Sequence, residues 1–338
     1  MFGIRKKYNM VIIGAGSIGA MKPDKFDSPK TKNVLTMAHA AYNNRRINLF
    51  IVDNDLEKLS AACKKWKCRG FQTLADFRGR ADIIAVCTPT ETHYEVIGEA
   101  ISYFPKVIIA EKPFCSNITE AIEIHERCNN QNITLMVDYI RRYDSATEAI
   151  RKILNQASLF INNSIYHVIV NYNRGFIHEA CHAVNLMHYW FGNCNSVELI
   201  PGREIIDRDE NDPSVSLVCR HTAADVYYLP VDGRKVSMFE ITIMTSRGKI
   251  ILRDHGKIAE FQAVKDEETY GNYKSLDKNI IITETELPIA LSNLVKTAVA
   301  AADGDHGLNF ADGYEALAVH RVIKQYKLAK EFKNGTCN

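Results

Sequence analysis

A chain of 338 residues exceeds what one compact core holds and implies two domains. Its 46% hydrophobic and 24% charged residues describe an ordinary soluble globular protein, and a net charge of +2, without an Arg- or Lys-rich stripe, makes no electrostatic case for nucleic acid. No stretch approaches the ~18 consecutive apolar residues of a membrane span, so a membrane is not an expected partner either.

In chain order, Met1–Lys7 is basic but lacks cleavage-site character, so no signal peptide is expected. The apolar, β-branched run Met10–Ile13 reads as a buried parallel strand. Directly behind it Gly14, Gly16 and Gly19 fall in the spacing G-x-G-x-x-G, enclosing Ala15, Ser17 and Ile18. Gly14 permits the tight turn, Gly16 lets backbone approach a pyrophosphate, and Gly19 lets the next segment pack close. The phosphates are expected on N–H groups at a helix N-terminus. A second apolar strand, 48–53, ends in Asp53, suited to accept hydrogen bonds from an adenosine ribose and to repel a 2′-phosphate. That favours NAD over NADP.

The acid usually follows the glycines by ~20 residues, and here the interval is longer. The excess lies in Met21–Lys30, whose two prolines and dense charge predict a loop before a helix starting near Thr31. Its lysines could meet a phosphate, although charge runs more commonly just face water. Helix Leu56–Lys67, strand Asp82–Cys87, helix 94–103, strand Lys106–Ala110, helix 119–130 and strand Ile133–Asp138 complete a doubly wound parallel sheet of Rossmann type. Ligands bind beyond the carboxyl ends of such strands, where Asp53, Thr88 and Lys112 all fall.

After residue 145 the pattern changes. Helix 145–156 precedes alternating segments Ser164–Asn173, Val197–Ile206, Val215–Leu229 and Val236–Thr245, as expected of antiparallel strands with one wet face. The predicted fold is therefore α/β: a Rossmann domain over 1–140, an α+β domain with an open, mostly antiparallel sheet over 141–307, and a C-terminal helix within 308–338 packing back on the first. The nine cysteines are scattered, odd in number and without C-x-x-C, so neither a disulfide framework nor a zinc knuckle is indicated. Reduced thiols in a cytoplasmic protein are the expectation.

The run Gly14–Gly19, Thr88-Pro89-x-x-x-His93 with Thr90 inside it, Glu111-Lys112-Pro113, Asp138–Asp144 and Glu240–Ile250 resembles, in that order, the glucose–fructose oxidoreductase / inositol dehydrogenase / MocA family. The resemblance implies nicotinamide-dependent oxidoreduction, and an open second-domain sheet whose exposed face often joins homodimers or homotetramers. It gives Lys112 the role of general acid–base on a substrate hydroxyl. A lysine between a buried strand and a proline is stiffly held, and desolvation makes an ammonium a usable proton carrier near neutral pH. Glu111 could pair with Lys112 or orient the nicotinamide ribose. His93 reads as a structural hydrogen bonder.

A second candidate stretch is Arg174–Asn185. The family carries Asp-x-x-x-His-x-x-Asp here, and His182 matches the histidine. His178, or Glu179 with a slip of one residue, takes the first aspartate's place, and Asn185 the second's. Together with Arg142 these are candidate substrate contacts. The string His178-Glu179-x-x-His182, followed by His188, also spells a zinc-protease motif. Its turn glycine is replaced by Asn185, and a Rossmann half lies upstream, so no metal is expected there. The resulting expectation is an NAD-dependent dehydrogenase acting on a sugar, cyclitol or nucleotide-linked sugar. The alternative is a catalytically silent, dinucleotide-binding regulator on the same fold.

Overall fold

The computed structural model describes residues 6–155, 165–202, 204–267, 269 and 271–333. Met1–Arg5, Gln156, Ser164 and Cys337 lie outside the described residues. Two compact units divide the chain: Met1–Tyr143 with Pro288–Leu317, and Asp144–Leu287 with Ala318–Asn338. These bounds differ from those expected at 140 and 307, because the chain returns to the first unit at Pro288 and leaves it again after Leu317.

The first unit begins with β1 (Tyr8–Ile13), α1 (Met37–Tyr42), β2 (Ile47–Val52), α2 (Leu56–Trp66), β3 (Arg69–Phe71), β4 (Ile83–Val86), α3 (His93–Ile101), β5 (Val107–Ala110), α4 (Ile118–Asn130) and β6 (Thr134–Val137). All six strands are parallel, in the order β3-β2-β1-β4-β5-β6. The order reverses between β1 and β4, the switch point at which ligands bind in such sheets. Strands β4 and β5 are apolar throughout and buried, as is β1 apart from half-exposed Asn9, as parallel strands under helices must be. Asp55 caps α2 by accepting from Glu57 and Lys58 N–H, and Asn117 caps α4 by accepting from Glu120 N–H.

The second unit follows with α5 (Ser145–Leu154), β7 (Ile165–Tyr172), α6 (Cys181–Phe191), β8 (Cys194–Leu199), β9 (Leu217–His221), β10 (Asp225–Pro230), β11 (Phe239–Thr245), β12 (Gly248–Arg253), β13 (Ile258–Asp266) and β14 (Lys274–Glu284). Its eight strands run β14-β13-β12-β11-β7-β10-β9-β8, antiparallel except for the β7–β10 pair. One face buries Val168, Val170 and Tyr172 of β7 with Phe239, Ile241 and Ile243 of β11, each alternating with a half-exposed residue. The segment expected as one strand over Val215–Leu229 is a hairpin, β9–β10, turning through Thr222–Ala224 without a glycine or proline to mark it.

Helix α7 (Ala290–Asp303) returns to the first unit and packs on α1. Helix α8 (Gly313–Lys333) begins there and continues into the second. The later part of α8 brings Tyr326 to a ring distance of 4.8 Å from Phe176, within the second unit. Among the described residues no helix is long and apolar enough to cross a membrane.

Candidate active site

The ladder of the parallel sheet runs one residue beyond its strands. Gly14 N–H donates to Val52 O, Cys87 N–H to Ile13 O, Glu111 N–H to Val86 O and Asp138 N–H to Ala110 O, at 2.8, 2.8, 3.0 and 2.8 Å. These bonds set Gly14, Cys87, Glu111 and Asp138 in a row along the carboxyl edge.

Each glycine meets a different constraint. Gly14 has φ +100°, and a Cβ there would stand 2.7 Å from Cys87 O. A Cβ on Gly19 would come within 1.8 Å of Gly14 O. Around Gly16 no protein atom lies within 4 Å of where a Cβ would be, which is the close-approach cradle a pyrophosphate requires. The expected helix N-terminus behind the glycines is not found. Residues 17–20 form a turn, and α1 starts only at Met37, with Thr36 as N-cap. The first N–H groups of α1, Met37 and Ala38, donate to Ile18 O and Gly19 O, so its end serves the loop rather than a ligand.

The intervening loop is pinned rather than simply solvated. Asp27 is fully buried and accepts from Leu35 N–H at 2.9 Å and Thr36 Oγ at 2.7 Å, with His39 Nδ1 at 2.7 Å. Lys22 reaches Ser17 Oγ at 3.3 Å. Asp53 is half-buried, and its carboxylate accepts from Ala15 N–H at 2.6 Å and Asp55 N–H at 2.8 Å. It therefore braces the glycine loop, and its remaining lone pairs can still face a ribose.

His93 is buried and stitches two of the edge turns together. Nε2 lies 2.9 Å from Thr88 O, while Nδ1 lies 3.0 Å from Pro113 O and 3.2 Å from Phe114 O. Burial lowers its pKa against the pull of these carbonyls, and a neutral ring donates to the carbonyls on one side only. Thr88 Oγ accepts from Thr92 Oγ at 2.8 Å, while Pro89 is exposed and Thr90 half-buried on the same turn.

Beyond β5, Glu111 and Asp138 are both buried and hydrogen-bonded to each other. Burial, then the neighbouring Asp138 charge, pushes the Glu111 carboxyl well up, with Lys112 pulling the other way. Burial also raises Asp138. Two carboxyls in one dry site cannot both ionise cheaply, so near neutral pH the pair holds a proton between them. Lys112 follows Glu111 directly, half-buried, and its N–H donates to Glu111 Oε2 at 3.3 Å. The Lys112–Pro113 peptide is cis. The two carboxyls come from separate sequence motifs, Glu111-Lys112-Pro113 and Asp138–Asp144, which do not reveal that they meet.

Arg142 is placed differently from its expected role as a substrate contact. It is buried in the first unit, its guanidinium on Glu315 at 3.0 Å and on Asn309 Oδ1 at 2.9 Å, an internal ion pair.

In the second unit, Phe176–Ala180 forms a π-helical turn leading into α6. The helical register thus changes inside the string His178-Glu179-x-x-His182. His178 and Glu179 are half-buried, His182 is buried, and Asn185 is wholly buried. The turn starts at Gly175, with φ +94°, and Asp212 accepts from Ile177 and His178 N–H at 2.8 Å each. Burial raises the Asp212 carboxyl against these bonds. Only the fold discloses this cap, since Asp212 lies far along the chain.

Comparison with known proteins finds likenesses to the first unit in sequence and to the whole chain in fold. Residues 8–139 match the Gfo/Idh/MocA family model, described as an oxidoreductase family with an NAD-binding Rossmann fold. UDP-N-acetylglucosamine 3-dehydrogenase of Acidithiobacillus ferrooxidans is 24% identical over 102 residues, 30% of this chain and 32% of that enzyme. The chain thus aligns with about a third of that curated relative's length. The WlbA dehydrogenase from Bordetella pertussis, solved with NADH and UDP-GlcNAcA, superposes with a TM-score of 0.73 at 18% identity, covering 97% of this chain and 96% of that one. A super-repressor mutant of Gal80p from Saccharomyces cerevisiae gives 0.70 at 13% identity, with 96% of each chain covered. At such identities likeness establishes the fold, which serves an enzyme and a repressor alike. Over residues 8–139 the chain is thus similar to the Gfo/Idh/MocA oxidoreductases, whose family model describes an NAD-binding Rossmann fold.

Proposed function

We propose that the protein is an NAD-dependent dehydrogenase acting on a secondary hydroxyl, or the matching ketone, of a sugar, cyclitol or nucleotide-linked sugar. The observation that carries this reading is Lys112, half-buried beside the buried Glu111–Asp138 pair on the carboxyl edge that also holds the glycine loop. Gly14–Gly19, Asp53 and the Thr88–Thr90 turn would hold the dinucleotide, which when bound accepts or donates the hydride. The Lys112 amine takes the hydroxyl proton as the C–H hydride departs, and returns it in the reverse direction. His182 is read as orienting the hydroxyl, with His178, Glu179 and Asn185 as further substrate contacts. The exposed Ile280, Ile281 and Ile282 of β14 support pairing of copies through the second unit's sheet. Light scattering reading a monomer at micromolar concentration would refute that pairing.

The second reading, a silent dinucleotide-binding regulator, is favoured by the replacement of both family acids around His182 and by the likeness to a repressor fold. The discriminating experiment mixes the protein with NAD and a panel of sugars, cyclitols and nucleotide sugars while following nicotinamide absorbance. Turnover on any member supports the dehydrogenase. Tight NAD binding with no turnover across the panel, in either direction, favours the regulator.

A further inference from the structure

The second unit carries a side-chain cluster that the proposed chemistry does not use. The thiols of Cys194 and Cys219 and a ring nitrogen of His221 all lie within 4.8 Å of one another. Strand pairing builds the cluster. Cys194 on edge strand β8 stands opposite His221 of β9, and Cys219, two residues back along β9, points to the same side. A register shift between Cys194 and Ser196 re-aims the first thiol, as bulges at sheet edges do.

His221 is set up as a ligand. Its Nδ1 lies 2.9 Å from Gly192 O, so Nδ1–H is donated to that carbonyl and the lone pair resides on Nε2. Nε2 is buried and has no hydrogen-bond partner among the described residues. A backbone carbonyl on one ring nitrogen, fixing the tautomer and aiming the other, is how metal-ligating histidines are held. The Tyr228 hydroxyl on β10, on the same sheet face as Cys219 and two residues beyond its partner Val226, is likewise buried and without a hydrogen-bond partner among the described residues. Two orphaned polar atoms beside two thiols demand an explanation that apolar packing does not give.

We propose that Cys194, Cys219 and His221 form a structural zinc site, a reading independent of the activity proposed above. Thiolate sulfur and imidazole nitrogen suit zinc, whereas magnesium and calcium require oxygen cages. Two thiolates cancel the charge of Zn²⁺ and leave the buried site neutral. Copper(I) would leave an uncompensated buried charge, which costs more. At Zn–S near ~2.3 Å, tetrahedral ligand atoms stand roughly 3.8 Å apart, so the side chains need to close by no more than about 1 Å. Binding releases the two thiol protons, and the Tyr228 oxygen or a water takes the fourth position. The metal would clip edge strand β8 to β9. The sequence, without C-x-x-C, indicates no zinc knuckle and no metal at the histidines of 178–188; the site proposed here departs from that expectation because strand pairing, not local spacing, brings its ligands together.

The test uses the full chain, reduced and stripped of metal, with Zn²⁺ and Co²⁺ as probes. Expected are one equivalent of metal per chain, thiolate-to-cobalt charge-transfer bands, and a rise in melting midpoint on adding zinc. Cys194→Ser, on a half-exposed edge position chosen because it should still fold, is expected to weaken zinc roughly 100-fold or more and to abolish the rise in midpoint. Cys219→Ser and His221→Gln, if folded by circular dichroism, should behave alike. Folded, reduced wild type that takes up neither metal overturns the proposal. So does a Cys194–Cys219 disulfide whose reduction restores no metal binding, or zinc that folded Cys194→Ser retains and His178→Ala loses.

Discussion

In the first unit the consequential polar groups sit one residue past the ends of parallel strands. In the second they sit within strands, on the covered face of a mostly antiparallel sheet. Gly14, Cys87, Glu111 and Asp138 share an edge because each ladder bond carries the chain one step further, whatever the side chains. Cys194, Cys219 and His221 share a face only because β8 and β9 pair in one register. An edge site is thus fixed by local motifs and tolerates changes in its neighbours, whereas a face site is fixed by long-range pairing and fails with it. The predictions below strike one kind of site while sparing the other.

The largest effect is expected at the edge. Lys112→Met keeps the stem and removes the amine, so folding and NAD affinity should be nearly unchanged while turnover falls by about 10²–10⁴-fold. His182→Ala should cost less, since neither family aspartate is present to pass its proton onward. Full turnover by Lys112→Met on a confirmed substrate would remove the acid–base role and strip the edge of its chemistry.

Next come the glycines, which separate the fold's demands from the ligand's. A methyl on Gly19 meets the Gly14 carbonyl at 1.8 Å, so Gly19→Ala should destabilise by about 3 kcal/mol or more. On Gly16 a methyl meets nothing within 4 Å. Gly16→Ala should therefore melt like wild type yet bind NAD at least tenfold more weakly, about 1.4 kcal/mol. Unfolding scans with NAD titrations on both variants decide the matter; a destabilised Gly16→Ala would mean the cradle is not open.

The units should also respond to pH with opposite sign. Burial, helped by Lys327, holds His320 of the second unit down to about 4, below its ordinary 6.5. Between those values the unfolded chain binds a proton that the folded one refuses, so stability is lost as pH falls, by up to about 3 kcal/mol. The Glu111–Asp138 pair of the first unit is raised instead, so its contribution is complete in acid and is lost as pH rises through the folded values. Urea unfolding across pH should show His320→Gln flattening the acid limb and Asp138→Asn flattening the upper one. An Asp138→Asn protein with an unaltered upper limb would deny the shared proton.

The same contrast explains what could be read in advance. Strand, glycines, Asp53, Thr88 and Lys112 follow each other in the chain, and parallel-sheet geometry turns that order into a place. Asp138 stood within a recognisable motif, but its meeting with Glu111 depends on Ala110 pairing with Val137. Cys219-x-His221 does show the two-residue period of one strand face. Its third member lies 25 residues earlier than Cys219, across the long connection through Pro201, Gly202 and Pro213, so the spacing conveyed nothing. The loop before α1 read as water-facing because charge runs usually are. One buried aspartate, Asp27, overrides that tendency by gathering three partners from Leu35, Thr36 and His39.

The smallest predicted effect bears on cofactor choice at Asp53. A carboxylate where a 2′-phosphate would lie repels it, and one such repulsion is worth about 1.4 kcal/mol, so NAD should bind at least tenfold tighter than NADP. The same carboxylate accepts Ala15 N–H at 2.6 Å and Asp55 N–H at 2.8 Å. Asp53→Ala therefore removes a ribose acceptor and a brace of the glycine loop together, and should weaken NAD far more than it improves NADP. Asp53→Asn keeps an acceptor for Ala15 N–H while discharging the group. It should preserve the loop and narrow the preference from both sides. Calorimetric titration of both dinucleotides against both variants separates the two roles. Equal affinities in the wild type would sink the charge argument, and identical losses of NAD in the two variants would show that the brace contributes nothing.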